Sequence, residues 1–436
     1  MEIVGINEEN IKQISSIKNE DNWVLDYRLN SYNNFCNLGM PGYGPSYKIN
    51  FDDVIYYKSN DDKEIKSSWD QIKEDVKCEL SCLGVLESEK HLDGMGVTYE
   101  SEVIYHNMLE ELKEKNVIFT SIEEGLKNYP DIAKKYFGKI VSNAENKFAA
   151  LNGSVFSGGS FIYIPPHTKL DRPLQSYFRI NSRGMGQFER TLIIVDDYSD
   201  LHYIEGCTAP TYTESSLHAA VVEIYVGKHS KCRYSTIQNW AHNVLNLVTK
   251  RALVDEAGVM EWIDGNIGSK ATMKYPCCIL KGDNSEGTCV TISVATSGQQ
   301  QDSGARMIHL GKNTKSSIIS KSIARNGGDA SYRGKVDIKE SATGSEAMVK
   351  CDTLILDKDS KSNAYPTNIC RNTSSTLEHE ATVSKVSEEK LFYLMSRGIP
   401  KEKAIELIIL GFIEKFREEL PMEYAVELNQ LLKKHL

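Results

Sequence analysis

Glu378, His379 and Glu380 stand in a row between apolar Leu377 and Ala381, in a stretch dominated by strand formers. A surface turn carries such residues at no cost, whereas a buried strand holds them only with charged or metal partners. In a strand the two glutamates face one way and the histidine the other. Cys351, in VKCDTLILD, precedes His379 by 28 residues, and a solenoid coil takes roughly 20–30. One coil of chain would therefore set Cys351 beside LEHEA, and thiolate with imidazole suits iron, zinc or an iron–sulfur cluster. The plain alternative is a core-packed Cys351 and a solvated edge at LEHEA, and spacing leaves both open.

Two further places have chemical character. YIEGCTAP, 203–210, reads as a strand ending in a Gly-Cys turn, which makes Cys207 an accessible thiol capable of sulfur chemistry. YFRIN sets Arg179 and Asn181 on one face beside Tyr177, and TIQNW does the same with Gln238 and Trp240. Polar residues two apart in apolar strands line either an interior channel or the outer face of a half-exposed sheet. The remaining thiols read as core residues. Cys277 and Cys278 are adjacent and would point oppositely in a strand, Cys78 and Cys82 share one face of a helix, and Cys370 is a spare candidate near LEHEA.

These residues need a scaffold, and three zones supply it. Residues 1 to about 150 mix helical patterns with short loops, as in YESEVIYHNMLEELKEKN and DIAKKYFGK. From 151 to 384, short runs rich in β-branched and aromatic residues recur every 10–12 residues between Gly, Asn, Asp and Ser. No helical pattern separates them, which excludes a doubly wound α/β fold. Small polar turns around short strands, as in NTKSSIISKSIARNGG, favour a β-helix over a jelly roll. From 385 to 436 the pattern turns helical, with EEKLFYLMSRG ending at Gly398, Pro400 opening a second helix and Pro421 a third. These amphipathic helices are too small to fold alone and would offer an apolar face to a partner.

Composition and missing motifs narrow the function. A net charge of −9 argues against nucleic acid as a partner. No run of 18 apolar residues exists to span a membrane, and the acidic N-terminus lacks a signal-peptide core, so a cytoplasmic location is expected. There, ten cysteines without a CxxC are expected to be reduced thiols. HLGKNTKSS lacks the glycine spacing and the Ser/Thr of a P-loop, so the chain is not expected to be an ATPase or other enzyme. GxGxxG after a strand, HExxH and GxSxG are absent too. A β-helix polysaccharide enzyme would need clustered carboxylates that the sequence does not offer.

GQFERTLIIVDDYSDLHYIEGCTAP, YSTIQNW, NLVTKRA, ATSGQQQDSGARMIHLGKNTKSSIISKSIARNGG, CDTLILD and LEHEATVSKVSEEKLFYLMSRG together resemble the SufB/SufD family of the SUF iron–sulfur cluster assembly system. The resemblance is collinear from about residue 20 to the C-terminus and is nearest to the SufB, scaffold, type. It implies a mainly β protein: a right-handed parallel β-helix with an N-terminal α/β region and a C-terminal helical domain. It implies partners: the ABC-type ATPase SufC on the C-terminal helices, SufD or a second copy, a cysteine desulfurase with its sulfur-transfer protein, and apo iron–sulfur proteins. It implies a transient iron–sulfur cluster and raises reduced flavin as a component of the complex. It further implies Cys207 as sulfur acceptor, Arg179, Asn181, Gln238, Trp240 and Lys250 along a sulfur path, and Cys351, Glu380 and His379 at the assembly site. The sequence departs from some relatives: no N-terminal CxxC is present, Val254 stands where KRALC has its cysteine, and AHNVLN is a shorter segment. An architectural, SufD-like subunit without acceptor activity is the alternative.

Overall fold

In the computed structural model, which describes residues 1–59, 65–82, 85–179, 184–208, 216–414 and 418, the chain winds as a parallel β-solenoid of about seven turns. Helices lie at both termini. One sheet stacks Leu174–Arg179, Asp200–Thr208, Lys231–Trp240, Val259–Gly268, Glu286–Ala295, Lys315–Ala324, Glu346–Ile355 and Thr376–Lys385, each strand paired parallel to the one a coil earlier. The facing sheet runs from Ser160–Ile164 through Val244–Val254 and Gln300–His309 to Ala364–Cys370. Successive coils pair parallel in both sheets, which excludes the jelly roll; the antiparallel pairs, Gly94–Tyr99 with Glu102–Met108 and Ile118–Ser121 with Ser160–Ile164, stand at the N-terminal edge. The sheets begin before residue 151, because Gly94–Tyr99 and Ile118–Ser121 already pair with the first coils.

The coils are held in register by their corners. His167, Tyr198, His229, Ala257, Asn284, Asn313 and Gly344 form a column in the left-handed region, one per coil. A small hydroxyl residue follows every one of these corners except Ala257, which Gly258 follows, and the hydroxyls link successive coils: Thr168 N–H donates to Ser199 Oγ, Ser199 N–H to Ser230 Oγ, and Thr314 N–H to Ser345 Oγ. This column is the physical content of the polar turns in the sequence. The rings of His167, Tyr198 and His229 stack outside it at 5.0 and 5.1 Å.

Helices cover the outer faces. Helix Lys147–Val155 packs Phe148 and Leu151 against Leu245, Leu247 and Met273 on one sheet. Asn146 caps it, accepting from the N–H groups of Phe148 and Ala149. Helix Lys401–Phe412, preceded by Pro400, lays Ile409 and the following Ile413 on Ile263, Ile292, Val294 and Ile323 of the other sheet. Helix Glu388–Ser396 is capped by Ser387 and followed by Gly398 at φ +84°. The third C-terminal helix, expected from Pro421, lies outside the described residues.

Gly268 shows how tightly the coils approach. Its φ is +80°, and a Cβ there would lie 1.7 Å from the Trp240 carbonyl oxygen. Gly298 has φ +74° but open space around it. Gly298→Ala should therefore cost only the left-handed penalty, about 1–2 kcal/mol, and Gly268→Ala about 2 kcal/mol or more beyond that, because main chain must move. Urea midpoints of the two variants check this, and equal midpoints would contradict it.

Candidate functional site: a polar column inside the solenoid

Alternation along the first sheet puts Leu201, Tyr203, Glu205 and Cys207 on the inward face. In-register stacking then builds rows across the coils. One row reads Glu205, Thr236, Asp264, Thr291, Ser320 and Cys351; its neighbour reads Cys207, Gln238, Asn266, Ser293, Ser322 and Thr353. All twelve side chains are buried. From Cys207 to Cys351 is five rungs, or about 24 Å at the usual strand spacing. The outward rows of the same strands are apolar, with Ile204, Ile237, Ile263, Ile292 and Ile323 under the C-terminal helix. Along these two rows the usual polarity of a sheet is reversed, polar inside and largely apolar outside, while the first halves of the same strands keep an apolar inward face with Leu201, Tyr203, Met260, Trp262 and Ile318.

The facing sheet supplies the counter-charges. Lys250 Nζ donates to Asp264 Oδ1 at 3.3 Å and lies 4.0 Å from Glu205 Oε1. Lys274 Nζ lies 3.1 Å from the same Asp264 oxygen and 3.1 Å from Gln238 Oε1. Tyr234 donates its hydroxyl to Glu205 Oε2, and Lys250 sits 4.4 Å over the Tyr234 ring. Burial pushes the Asp264 carboxyl up, but Lys250 and Lys274 outweigh it, and its pKa falls below the usual carboxylate value. Burial lowers Lys274 to about 8 despite Asp264. From Gln238 the network continues: its Oε1 accepts from Asn246 Nδ2 at 2.8 Å, Asn246 Oδ1 meets His218 Nδ1 at 2.7 Å, and His218 Nε2 meets Glu189 at 2.6 Å. Thr236 Oγ1, Gln238 Nε2, Asp264 Oδ2 and both amide atoms of Asn266 are buried without a hydrogen-bond partner among the described residues. Such groups normally find one, so this stretch has spare donors and acceptors for something polar.

Cys207 differs from its sequence reading. It lies within strand Asp200–Thr208, fully buried, rather than on an accessible turn. Gly206 is no turn glycine: a Cβ there would sit 2.6 Å from the Tyr177 ring, so glycine is what lets that ring lie flat on the strand. Burial, then Glu205 and Glu189, push the Cys207 thiol well above its usual pKa. Its Sγ donates to Glu205 Oε1 at 3.8 Å.

The other expected residues divide. Gln238, Trp240 and Lys250 face inward beside Cys207, with the Trp240 ring 4.6 Å from His218. Arg179 pairs in register with Thr208 and donates to its hydroxyl at 3.0 Å, which sets it on the face away from Cys207. Asn181 lies outside the described residues. Cys351 faces inward one rung below the end of the sheet, where burial, then Asp352, push its thiol up to about 12. His379 faces the same way, paired with Val349; it meets Asn368 at 3.2 Å and the Tyr332 ring edge-on. Glu380 lies on the opposite face, exposed, 3.3 Å from Lys350, and Glu378 shares that face. Among the described residues, no three His, Cys, Asp or Glu side chains converge to hold a metal.

Glu205, Asp264, Lys274, His218 and Glu189 were not singled out from the sequence. Their signal is a polar residue at the same inward position in successive coils, 27 to 31 residues apart.

Comparison with known proteins accounts for nearly the whole chain. A family model for the SufBD core domain of the SUF iron–sulfur cluster assembly system matches residues 178–412, and one for the SufBD N-terminal region matches 90–176. The chain belongs to the SufBD family of iron–sulfur cluster assembly proteins. It is 53% identical over 431 residues to iron–sulfur cluster assembly protein SufB of Bacillus subtilis, covering 98% of this chain and 92% of that protein. It is 55% identical, with the same coverage, to a SufBD family protein of Staphylococcus aureus. The polar column therefore lies inside the SufBD core, and its Cys207 end lies one strand from the junction of the two SufBD regions.

Removing Asp264 from this SufBD core strands two buried ammonium groups. Asp264→Asn should cost about 3–5 kcal/mol, while pairing Asp264→Leu with Lys274→Met should recover part of that loss. Urea unfolding of the single and paired variants tests the charge balance; an unchanged midpoint for Asp264→Asn would refute it.

Proposed function

We propose that this chain is the SufB-type scaffold of its system. Cys207 accepts persulfide sulfur that originates at a cysteine desulfurase and reaches it through a sulfur-transfer protein. The interior column carries the sulfur, and Cys351, with His379 and Glu380, holds iron and sulfide while a cluster is built for apo-proteins. The observation that carries this reading is the unbroken polar row from Glu205, beside Cys207, to Cys351. A persulfide anion in a low-dielectric interior needs cations and hydrogen-bond donors along its way. Lys250, Lys274, Gln238 and the hydroxyls of Thr291, Ser293, Ser320 and Ser322 offer them. A purely architectural, SufD-like subunit would need neither a buried acceptor thiol nor a charge-balanced interior.

The cluster is cargo. Cys351 and His379 share the inward face at the open end of the solenoid, and Glu380 stands on the rim. A second subunit, SufD or another copy, completes the ligand set there. The C-terminal helices carry an exposed apolar face for SufC: Phe392 is 74% exposed and Tyr393 57%. A protein with this role works in the cytoplasm. Reduced flavin, when part of the complex, would supply electrons, and Arg179 and Asn181 belong to the entry side of the path.

Anaerobic reconstitution with ferrous iron and sulfide, in the presence of SufC and SufD, tests the site by visible absorption and Mössbauer spectroscopy. Cys351→Ser should lose the cluster spectrum while still binding SufC. A normal cluster yield in that variant would rule out the assignment of Cys351.

A further inference from the structure

Cys207 presents a problem that the scaffold reading leaves unsolved. A thiol attacks as its thiolate, and this thiol is sealed in the solenoid with a raised pKa. A base must reach it from within. Glu205 precedes it by two residues on the same inward face, with Oε1 3.8 Å from Sγ. The other oxygen, Oε2, is held by the Tyr234 hydroxyl, so Oε1 is the one turned to the thiol. Lys250 approaches that same Oε1 at 4.0 Å.

Charge counting gives the arrangement its purpose. With Cys207 as a thiol, the nest holds two ammonium groups, Lys250 and Lys274, against two carboxylates, Glu205 and Asp264. Forming an anion at Cys207 by loss of a proton to water would leave an unbalanced charge in the interior, which is costly. Moving that proton to Glu205 leaves the sum at zero. Lys250, no longer facing a carboxylate at Glu205, is then free to face the new sulfur anion.

We propose that Glu205 is the proton acceptor for Cys207 and so a catalytic residue of sulfur capture. The inference rests on the reading of Cys207 as the acceptor. Glu205 takes the S–H proton, and the Cys207 thiolate attacks the terminal sulfur of a donor hydropersulfide. The Sγ–S bond forms as the donor S–S bond breaks. The electron pair of that bond leaves on the donor sulfur, which takes the proton of the hydropersulfide. Cys207 ends as a persulfide anion and Glu205 as a neutral acid, with Asp264, Lys250 and Lys274 unchanged. The transferred sulfur keeps its oxidation state, so no external oxidant or reductant enters.

The test uses the full chain and glutathione hydropersulfide, with sulfur on the Cys207 peptide followed by mass spectrometry against pH. The groups facing Glu205 that could shape the profile are Tyr203, Tyr234, Lys250 and Cys207, with Asp264, Lys274 and the His218–Glu189 pair one contact further. Glu205→Gln should slow transfer about a hundredfold and make the rate climb with pH, because the thiol must then ionise unaided. Glu205→Asp should recover part of the rate. A carboxylate that acted only through its charge would give the opposite sign: Glu205→Gln leaves a surplus cation beside the thiol, favours the thiolate, and speeds transfer. A Glu205→Gln rate equal to or above wild type would overturn the inference while Cys207-dependent transfer stood. No sulfur on wild-type Cys207, or equal uptake by Cys207→Ser, would overturn the acceptor reading and this inference together. Should Glu205→Gln fail to fold, Tyr234→Phe removes a hydrogen bond that stabilises the carboxylate, so the pH midpoint of the profile should rise; an unmoved midpoint would overturn the inference.

Discussion

In-register stacking of parallel coils is the constraint from which the rest follows. Each strand of the solenoid lies on the strand a coil before, so a residue's lateral neighbour is 26 to 32 positions away in the chain. The coil length varies, yet the rows stay aligned: a left-handed corner recurs in each coil, and at all of these corners but Ala257 a hydroxyl residue follows it. A one-residue slip would turn every inward side chain outward. The column between Cys207 and Cys351 exists only because no slip occurs over five rungs. The tight approach of Gly268 to the Trp240 main chain is part of the same requirement.

A polar interior is expensive, and the sheet tolerates it through balance and through what lies on its other side. Asp264 shared between Lys250 and Lys274, with Glu205 at the end, keeps the nest neutral. Burying any one of these charges alone would cost several kcal/mol, about the scale of a domain's whole stability margin. The apolar stabilisation that other β proteins draw from the interior comes here partly from outside, where Ile409 and Ile413 close over the isoleucine rows. The C-terminal helix and the column are thus two faces of the same strands. A partner that grips helix Lys401–Phe412 would act on the sheet that carries the polar column, with one layer of backbone between.

Much of the architecture was legible because it is local. Turn residues at short intervals and the lack of helical periodicity pointed to a coiled β fold, and Gly398 and Pro400 marked the C-terminal helices. Strand alternation also placed Glu378 and Glu380 opposite His379, as found. What local pattern could not give was which face is inward and which residues stack. Arg179 and Gln238 have the same look in their strands, yet one turns out and the other in. Gly206 beside Cys207 has the look of a turn, and only the Tyr177 ring one coil away explains it as strand. Lys274 and Asp264 were not singled out because the partner of each lies on the facing sheet, which no local pattern reveals.

The two ends of the column are chemically unlike, and that gives it a direction. At the Cys207 end every group is buried and charge is conserved within the nest, which suits a step that moves a proton and a sulfur. At the Cys351 end the sheets stop: among the described residues Ala364–Cys370 and Thr376–Lys385 have no strand beyond them, and their side chains are largely exposed. Edge strands left bare invite pairing, and this edge carries Pro366, Lys385 and the Lys350–Glu380 pair, the kind of residues that limit indiscriminate association. Cys351 and His379 sit just inside that edge, facing the interior, while Glu380 is tied to a lysine on the outside. Iron bound by both thiolate and carboxylate would require Glu380 to leave Lys350, and an exposed ion pair of this kind is worth less than about 1 kcal/mol. On the proposed assignment the ion pair is therefore a small obstacle, and the sheet itself is the larger one, because it holds Glu380 on the face opposite Cys351 and His379.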